Sequence, residues 1–211
     1  MVAIAYQPEQ HATIRDYWAI ECDSEIKHEY VNGLIIAMAG ASANHATIVS
    51  NINGSFYNQL RGRSCQPWAN DIRIKVPATN LRAYPDIVVA CPPFEWDDEL
   101  PDTLCNPFVI IEVLSPSTAA FDRGAKFAHY RHLESLTDYI LVAQDKRRIE
   151  HFSRQPNGEW LPNVIENTGD IALESIECRL AMDEVYERVE WPENGTNDVT
   201  TTLLKGRNDT N

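Results

Sequence analysis

The sequence predicts an α/β fold, in which a mixed β-sheet is flanked by helices and preceded by an N-terminal β-hairpin. Three observations lead to this prediction. Short apolar runs rich in Ile, Leu and Val alternate along the chain with segments of helical periodicity. An Asn-Gly pair separates two apolar runs near the N-terminus, which is typical of a tight hairpin. The hydrophobic fraction of 44% is ordinary for a globular protein.

The N-terminal elements are each predicted from a local pattern. A first helix is expected over residues 9–22, and a β-hairpin over residues 29–38 around the Asn-Gly pair. Ser42 is expected to cap a long helix that ends near Leu60. The apolar residues of this helix recur at helical spacing and define its buried face: Ile48, Ile52, Phe56 and Leu60.

The central and C-terminal elements follow in the same way. Alternation predicts a strand over residues 66–76, and continuous apolar runs predict buried strands over residues 87–90 and 108–111. A Pro-rich acidic loop joins those two buried strands. The remaining predicted elements are a helix over residues 119–133, a buried strand over 139–143, a hairpin of residues 148–153 and 159–165, and a short helix at residues 185–186.

The length of 211 residues favours one domain with a substantial core. We predict a single domain over residues 1–190 and a polar tail without fixed structure over residues 191–211. No apolar run approaches the ~20 residues that a membrane helix requires, and the N-terminus lacks the layout of a secretory signal. We therefore expect a cytoplasmic protein without a membrane partner.

The cysteines predict free thiols. Their number is odd and no two are close in sequence, which argues against a disulfide framework, a structural zinc site or a disulfide-linked partner. The five residues are Cys22, Cys65, Cys91, Cys105 and Cys178.

The net charge of −13 opposes strong non-specific binding to DNA. The acidic residues are concentrated from Glu166 onward and in the loop of residues 93–105, so the rest of the chain is close to neutral. We expect one stretch of that neutral part to present a local basic face. Its residues are Arg61, Arg63, Arg73, Lys75 and Arg82.

Two acidic residues lie at the ends of two neighbouring apolar runs. Asp86 precedes residues 87–90, and Glu112 follows residues 108–111. If the two runs pair as antiparallel strands, both carboxylates lie at the same end of the pair. Two adjacent carboxylates repel each other, and a divalent cation with oxygen ligands relieves that repulsion. The pattern therefore predicts a metal-assisted hydrolytic site.

An ordered set of motifs strengthens this prediction. In chain order it contains residues 29–33 (Glu-Tyr-Val-Asn-Gly), Ser42 with His45, Pro85-Asp86, residues 111–118 (Ile-Glu-Val-Leu-Ser-Pro-Ser-Thr), then Asp122, Lys126 and Tyr130, and residues 136–139. This set resembles the PD-(D/E)xK nuclease superfamily and, more narrowly, the Uma-type endonuclease family. The resemblance covers residues 25–152 and implies a restriction-endonuclease-like fold.

The chain departs from the superfamily motif at one position. The lysine that normally stands two residues after the second acid is replaced by Leu114. In the resembling family a lysine on the following helix takes that role, and Lys126 matches its position. Asp122 and Tyr130 lie four residues on either side of Lys126, so all three share one helical face.

The resemblance implies a definite chemistry. Asp86, Glu112 and the Val113 carbonyl would hold Mg²⁺, for which Mn²⁺ could substitute, and Lys126 would orient or deprotonate the attacking water. The implied substrate is DNA, and the implied assembly is a homodimer that cuts both strands. Glu29 is a candidate third acid, and His45 a candidate contact for water or phosphate.

Simpler interpretations stay open for each residue. Asp86 and Glu112 can be acids of turns, and the spacing of Asp122 and Lys126 also suits an exposed helix ion pair. His45 can be an ordinary first-turn histidine. The alternative function is a catalytically inactive module of the nuclease fold that binds nucleic acid or protein.

Overall fold

The computed structural model describes residues 11–191, which form three β-sheets with helices packed against them. The beginning of the predicted first helix and nearly all of the predicted polar tail lie outside these residues. No helix between residues 11 and 191 is long and apolar enough to cross a membrane.

The N-terminal elements are a helix and a hairpin. Helix α1 spans Ile14–Asp23, and strands β1 (His28–Val31) and β2 (Leu34–Ala37) follow. Helix α1 begins at Ile14 because Thr13 and Asp16 form a reciprocal cap, in which the Asp16 carboxylate accepts from the Thr13 amide at 2.8 Å. The hairpin turn at Asn32 and Gly33 has φ angles of 51° and 83°, as a type I′ turn requires. The predicted hairpin is confirmed.

Helix α2 spans Ala43–Leu60 and matches its prediction closely. The Ser42 hydroxyl caps it by accepting from the His45 amide at 3.1 Å. The predicted apolar face is buried against the largest sheet. The first turn of α2 is therefore held close to the end of that sheet.

The central strands alternate between two sheets. They are β3 (Gln66–Ala69), β4 (Arg73–Val76), β5 (Leu81–Ala83), β6 (Ile87–Ala90), β7 (Thr103–Leu104) and β8 (Val109–Leu114). The prediction of one strand over residues 66–76 is wrong, because β3 pairs with β6 while β4 pairs with β5 and β7. Asn70 lies between β3 and β4 with a φ of 63°, so the chain turns there and enters the other sheet.

The C-terminal half contains a segmented helix and five strands. The elements are α3 (Ala119–Phe121), a π-helical segment (Asp122–Lys126), α4 (Phe127–Tyr130), β9 (Asp138–Ala143), β10 (Arg148–Arg154), β11 (Trp160–Glu166), β12 (Asp170–Leu173), a 3₁₀ turn (Glu174–Ile176), β13 (Cys178–Ala181) and α5 (Met182–Val185). The predicted β10–β11 hairpin is confirmed, whereas the β12–β13 hairpin was not predicted. The terminal helix lies three residues earlier than its predicted start.

The largest sheet separates two apolar layers. Its strand order is β11-β10-β9-β8-β6-β3, and it is mixed because only β8 and β9 are parallel. Alternate residues of its strands point to opposite faces. One face packs on α2 and the β12–β13 hairpin, and the other packs on the segment of residues 119–130 and on the second sheet, of order β2-β1-β5-β4-β7.

The prediction that all cysteines are free thiols is wrong for one pair. Cys65 and Cys91 form a disulfide within the chain. They flank the first register pair of β3 and β6, Gln66 and Ala90, so antiparallel pairing brings them together across 26 residues of sequence. Cys22, Cys105 and Cys178 are free. Spacing in sequence could not indicate the bond, because it depends on which strands pair.

The expected basic face does not form. Arg82 is completely buried, and its guanidinium lies 3.4 Å from Asp97 of the acidic loop, which also accepts from Lys75 at 2.6 Å. Arg73 is also buried and lies 3.7 Å from Glu21. These cations therefore neutralise buried acids instead of facing solvent.

The role of Asp97 can be tested by unfolding. Asp97→Asn should lower the free energy of unfolding by about 3–5 kcal/mol, since it leaves the buried Arg82 charge without its nearest carboxylate. The matched control is Glu99→Gln, because Glu99 is 66% exposed and lies 3.7 Å from both cations. This control should change stability by less than about 1 kcal/mol. Urea unfolding followed by tryptophan fluorescence measures both values, and equal losses would contradict the assignment.

Candidate active site

Asp86 and Glu112 meet at the same end of two paired strands. Strands β6 and β8 are antiparallel, with Ile87 opposite Ile111, so the next register pair brings Asp86 opposite Glu112. The Asp86 amide lies 3.4 Å from Glu112 Oε2, and the Val113 amide donates to Asp86 Oδ2 at 2.7 Å. The predicted convergence of the two carboxylates is confirmed.

Lys126 lies among three carboxylates. Its Nζ atom is 2.9 Å from Glu29 Oε1, 3.0 Å from Glu112 Oε1 and 3.7 Å from Asp122 Oδ1. Lys126 is only 5% exposed, and the three acids are buried as well. The interpretation of Asp122 and Lys126 as an exposed helix ion pair is therefore wrong. Both side chains are buried, and Lys126 also contacts Glu29 of β1 and Glu112 of β8.

The lysine comes from the π-helical segment. The chain was predicted to be helical over residues 119–133, but the helix ends at Tyr130 and widens to a π-helix over Asp122–Lys126. Such wide turns are frequent at functional sites. Asp122, Lys126 and Tyr130 are all buried, and the Tyr130 hydroxyl donates to Glu112 Oε1 at 3.2 Å.

Glu29 connects the site to the second sheet. It lies on β1, and its Oε1 atom accepts from the Tyr84 amide at 3.3 Å in addition to the Lys126 contact. Because β1 and β8 belong to different sheets, the cluster stands at the junction between them. The predicted third acid thus lies beside the other two, on the side of Lys126.

His45 contacts Asp86 from the first turn of α2. Its Nε2 atom is 3.2 Å from Asp86 Oδ2, and the ring is largely buried. Burial alone would lower the pKa of His45, but the hydrogen bond to Asp86 and the charge of that carboxylate more than offset it, so the pKa is raised. Among the described residues, His45 Nδ1 is buried without a hydrogen-bond partner.

Burial and like charge set the electrostatics of the acids. Burial raises the pKa of Glu112 well above its ordinary value, and the neighbouring Asp86 carboxylate adds to this effect while Lys126 opposes it. The pKa of Asp122 is also raised, mainly by burial. Burial would lower the pKa of Lys126, yet the surrounding carboxylates outweigh it and raise that pKa well above its ordinary value. The lysine is therefore an ammonium ion.

The donor atoms of the site suit a hard divalent cation. Asp86, Glu112 and the Val113 carbonyl offer oxygen ligands at one end of the paired strands, beside the ammonium that Glu29, Glu112 and Asp122 surround. Within residues 11–191, no group of three or more His, Cys, Asp or Glu side chains is arranged so that it could hold a metal ion by itself. Mg²⁺ commonly uses one or two carboxylates and retains several waters, so two acids and a carbonyl fit its requirements.

Two contributors to the site were not predicted. The Asn70 amide donates to the Asp86 carbonyl at 2.9 Å and thereby holds the start of β6. The Tyr139 hydroxyl donates to the Asp122 carbonyl at 2.9 Å, which anchors the π-helical segment to the sheet. In the sequence, Tyr139 is indicated only by its place in the set of motifs that resembles the nuclease family. No sequence pattern indicates a role for Asn70.

The chain matches the model of the Uma2 family, described as "Putative restriction endonuclease", over residues 14–183. It is 36% identical over 160 residues to "Uncharacterized protein slr1290" of Synechocystis sp., spanning 76% of this chain and 83% of that protein. It is 32% identical over 149 residues to "Uncharacterized protein sll1609" of the same organism, spanning 71% of this chain and 84% of that protein.

A solved structure shares the fold. It comes from Anabaena variabilis and is described as "a putative nuclease belonging to DUF820". The two superpose with a TM-score of 0.63 at 19% identity, over 77% of this chain and 91% of that chain. The predicted restriction-endonuclease-like fold class is confirmed. The chain belongs to the Uma2 family, as its motifs indicated.

The charge balance of the site predicts a pH-dependent stability. Lys126→Met should lower the free energy of unfolding by about 3–5 kcal/mol near neutral pH, because buried carboxylates lose their counter-charge. An acid whose pKa is raised in the folded state favours folding at low pH, and this contribution is lost as the pH rises above the ordinary value of 4.5. Removing the Lys126 ammonium raises the pKa of Glu112 further. The decrease in unfolding free energy caused by Lys126→Met should therefore be smaller at acid pH than at neutral pH.

Urea unfolding at acid and neutral pH, with EDTA present, measures this effect. The double variant Lys126→Met/Glu29→Gln should recover part of the loss, because it removes one of the repelling carboxylates. A loss independent of pH, without recovery in the double variant, would show that the lysine contributes packing and not charge.

Proposed function

We propose that this protein is a metal-dependent endonuclease that hydrolyses phosphodiester bonds in DNA. The observation that carries the proposal is the approach of Asp86 to Glu112 at paired strand ends, with the Lys126 ammonium 3.0 Å from Glu112. The family description and the nuclease description of the solved relative support the same activity.

In this proposal Asp86, Glu112 and the Val113 carbonyl hold Mg²⁺, and Mn²⁺ can substitute for it. When bound, such an ion lowers the pKa of its water and neutralises charge that develops on the phosphate oxygens. His45 and the Val113 amide keep the Asp86 carboxylate in place, since both contact Asp86 Oδ2. Tyr130 does the same for Glu112 through its hydroxyl.

Lys126 acts in this proposal as a positive charge and hydrogen-bond donor. Its raised pKa in the metal-free site favours the ammonium over the free amine, a form that can orient the attacking water or stabilise the phosphate. Glu29 and Asp122 keep Lys126 next to Glu112. Leu114 leaves the usual lysine position apolar, and Lys126 supplies the cation from the helix instead.

Cleavage of plasmid DNA tests the proposal. Glu112→Gln and Asp86→Asn should each reduce the Mg²⁺-dependent nicking rate by about 10²-fold or more, since loss of metal assistance removes several kcal/mol of transition-state stabilisation. EDTA should abolish nicking, and Mn²⁺ should restore it.

The matched control is Glu134→Gln. Glu134 is an exposed acid that precedes β9, and its substitution should leave the nicking rate unchanged. If the purified wild type cuts neither duplex nor single-stranded DNA with any divalent ion, the proposal is rejected.

A second candidate function is a catalytically inactive module of the same fold that binds nucleic acid or protein. The observation that favours it is the internal neutralisation of Glu112 by Lys126, which reduces the need for a metal. Calorimetric titration with Mg²⁺ separates the two functions. Heat of binding that disappears in Asp86→Ala supports the nuclease, whereas no binding in the wild type supports the inactive module.

The organisation of the protein stays a prediction. We propose a single domain over residues 1–190, a homodimer and a cytoplasmic location. Light scattering coupled to size exclusion measures the oligomeric state directly, and a monomer at working concentration would contradict the homodimer.

A further inference from the structure

A nuclease with a net charge of −13 needs local cations to hold the phosphates of its substrate. Three cations of the two sheets and the π-helical segment are paired with buried acids. Lys126 is neutralised by Glu29 and Glu112, and the Lys75 and Arg82 pair is neutralised by Asp97. Lys75 and Arg82 are therefore not available to bind DNA, and Lys126 is buried at the proposed metal site, where it cannot hold phosphates outside that site.

Lys27 is a different kind of cation. It directly precedes β1, and its carbonyl accepts from the Met38 amide at 2.9 Å, which fixes its backbone at the open end of the hairpin. Strand β1 pairs antiparallel with β5, with Tyr30 opposite Arg82. Continuing this register brings Lys27 opposite Pro85, the residue that precedes Asp86.

The ammonium of Lys27 is linked through hydrogen bonds to the segment that carries Asp86. Its Nζ atom donates to the Asn70 carbonyl at 2.9 Å and lies 5.4 Å from the centre of the Tyr84 ring. The Asn70 amide in turn donates to the Asp86 carbonyl at 2.9 Å. Two consecutive hydrogen bonds therefore connect the Lys27 charge to the backbone of the proposed metal ligand.

The charge of Lys27 is accessible. Its side chain is 39% exposed, against 6% for Lys126. Its acidic partner is Asp71, whose side chain is 79% exposed. An ion pair this exposed is held weakly, so a phosphate can replace the Asp71 carboxylate at little cost.

We propose that Lys27 is a substrate-binding residue that contacts a backbone phosphate of the DNA beside the bond that is cut. The proposal rests on the proposed nuclease function and adds to it a cation outside the family motif set. Asp71 is the residue that Lys27 exchanges for the phosphate.

Fluorescence anisotropy with a short labelled DNA duplex tests the proposal. Binding is measured over a series of salt concentrations, with Ca²⁺ in one series and EDTA in another. Lys27→Met should weaken binding about five- to tenfold near 0.1 M salt and reduce the slope of log K against log salt by about one, as expected for one lost phosphate contact. Lys27→Arg should retain wild-type binding, and Asp71→Asn should bind more tightly.

The matched control is Arg179→Met. Arg179 is 58% exposed, pairs with Asp170 and contacts Gln59 at the far end of α2. The variant Arg179→Met removes one positive charge, as Lys27→Met does, but from a distant surface. It should leave the slope of log K against log salt unchanged. A structural role for Lys27 would appear instead as a lower melting temperature with an unchanged slope.

Three results would overturn the assignment: an unchanged slope in Lys27→Met, an equal change in Arg179→Met, or no DNA binding by the wild type. The nuclease proposal is judged separately by plasmid nicking. A wild type that binds DNA without cutting rejects the nuclease and still decides the role of Lys27 from the binding data.

Discussion

The contact between the Lys126 ammonium and its carboxylates holds together three parts of the structure. Glu29 comes from β1, Glu112 from β8 and Asp122 from the π-helical segment, and each lies within 3.7 Å of the same nitrogen. Because all four side chains are buried, loss of the Lys126 charge would leave buried carboxylates without their cation, which is strongly destabilising. The helix is widened over Asp122–Lys126, the segment that supplies Asp122 and Lys126 to this cluster.

Much of the fold could be predicted from the sequence because many of its elements are determined by local patterns. The Asn-Gly turn, the Ser42 cap and the periodic face of α2 all depend on neighbours in sequence, and all are present. The division of residues 66–76 between two sheets could not be predicted in this way. Alternation looks the same whichever sheet a strand joins, and partner choice is decided by packing between distant segments.

The same distinction applies to the site. Asp86 and Glu112 could be placed together because each lies at the end of an apolar run, so antiparallel pairing was sufficient. The burial of Asp122 was missed, since spacing on a helix does not show what the helix faces. The motif resemblance selected Glu29 before any distance was known, but its contact with Lys126 depends on how the two sheets pack.

The position of Glu29 has a consequence for the order of assembly. The hairpin of β1 and β2 lies early in the chain, whereas Lys126 is made almost a hundred residues later. Before these two segments pack together, Glu29 can stay hydrated; afterwards it is buried, and Lys126 is the cation that it contacts. The contact between Glu29 and Lys126 can therefore form only when the hairpin and the π-helical segment pack together, so it couples the formation of these two parts of the structure.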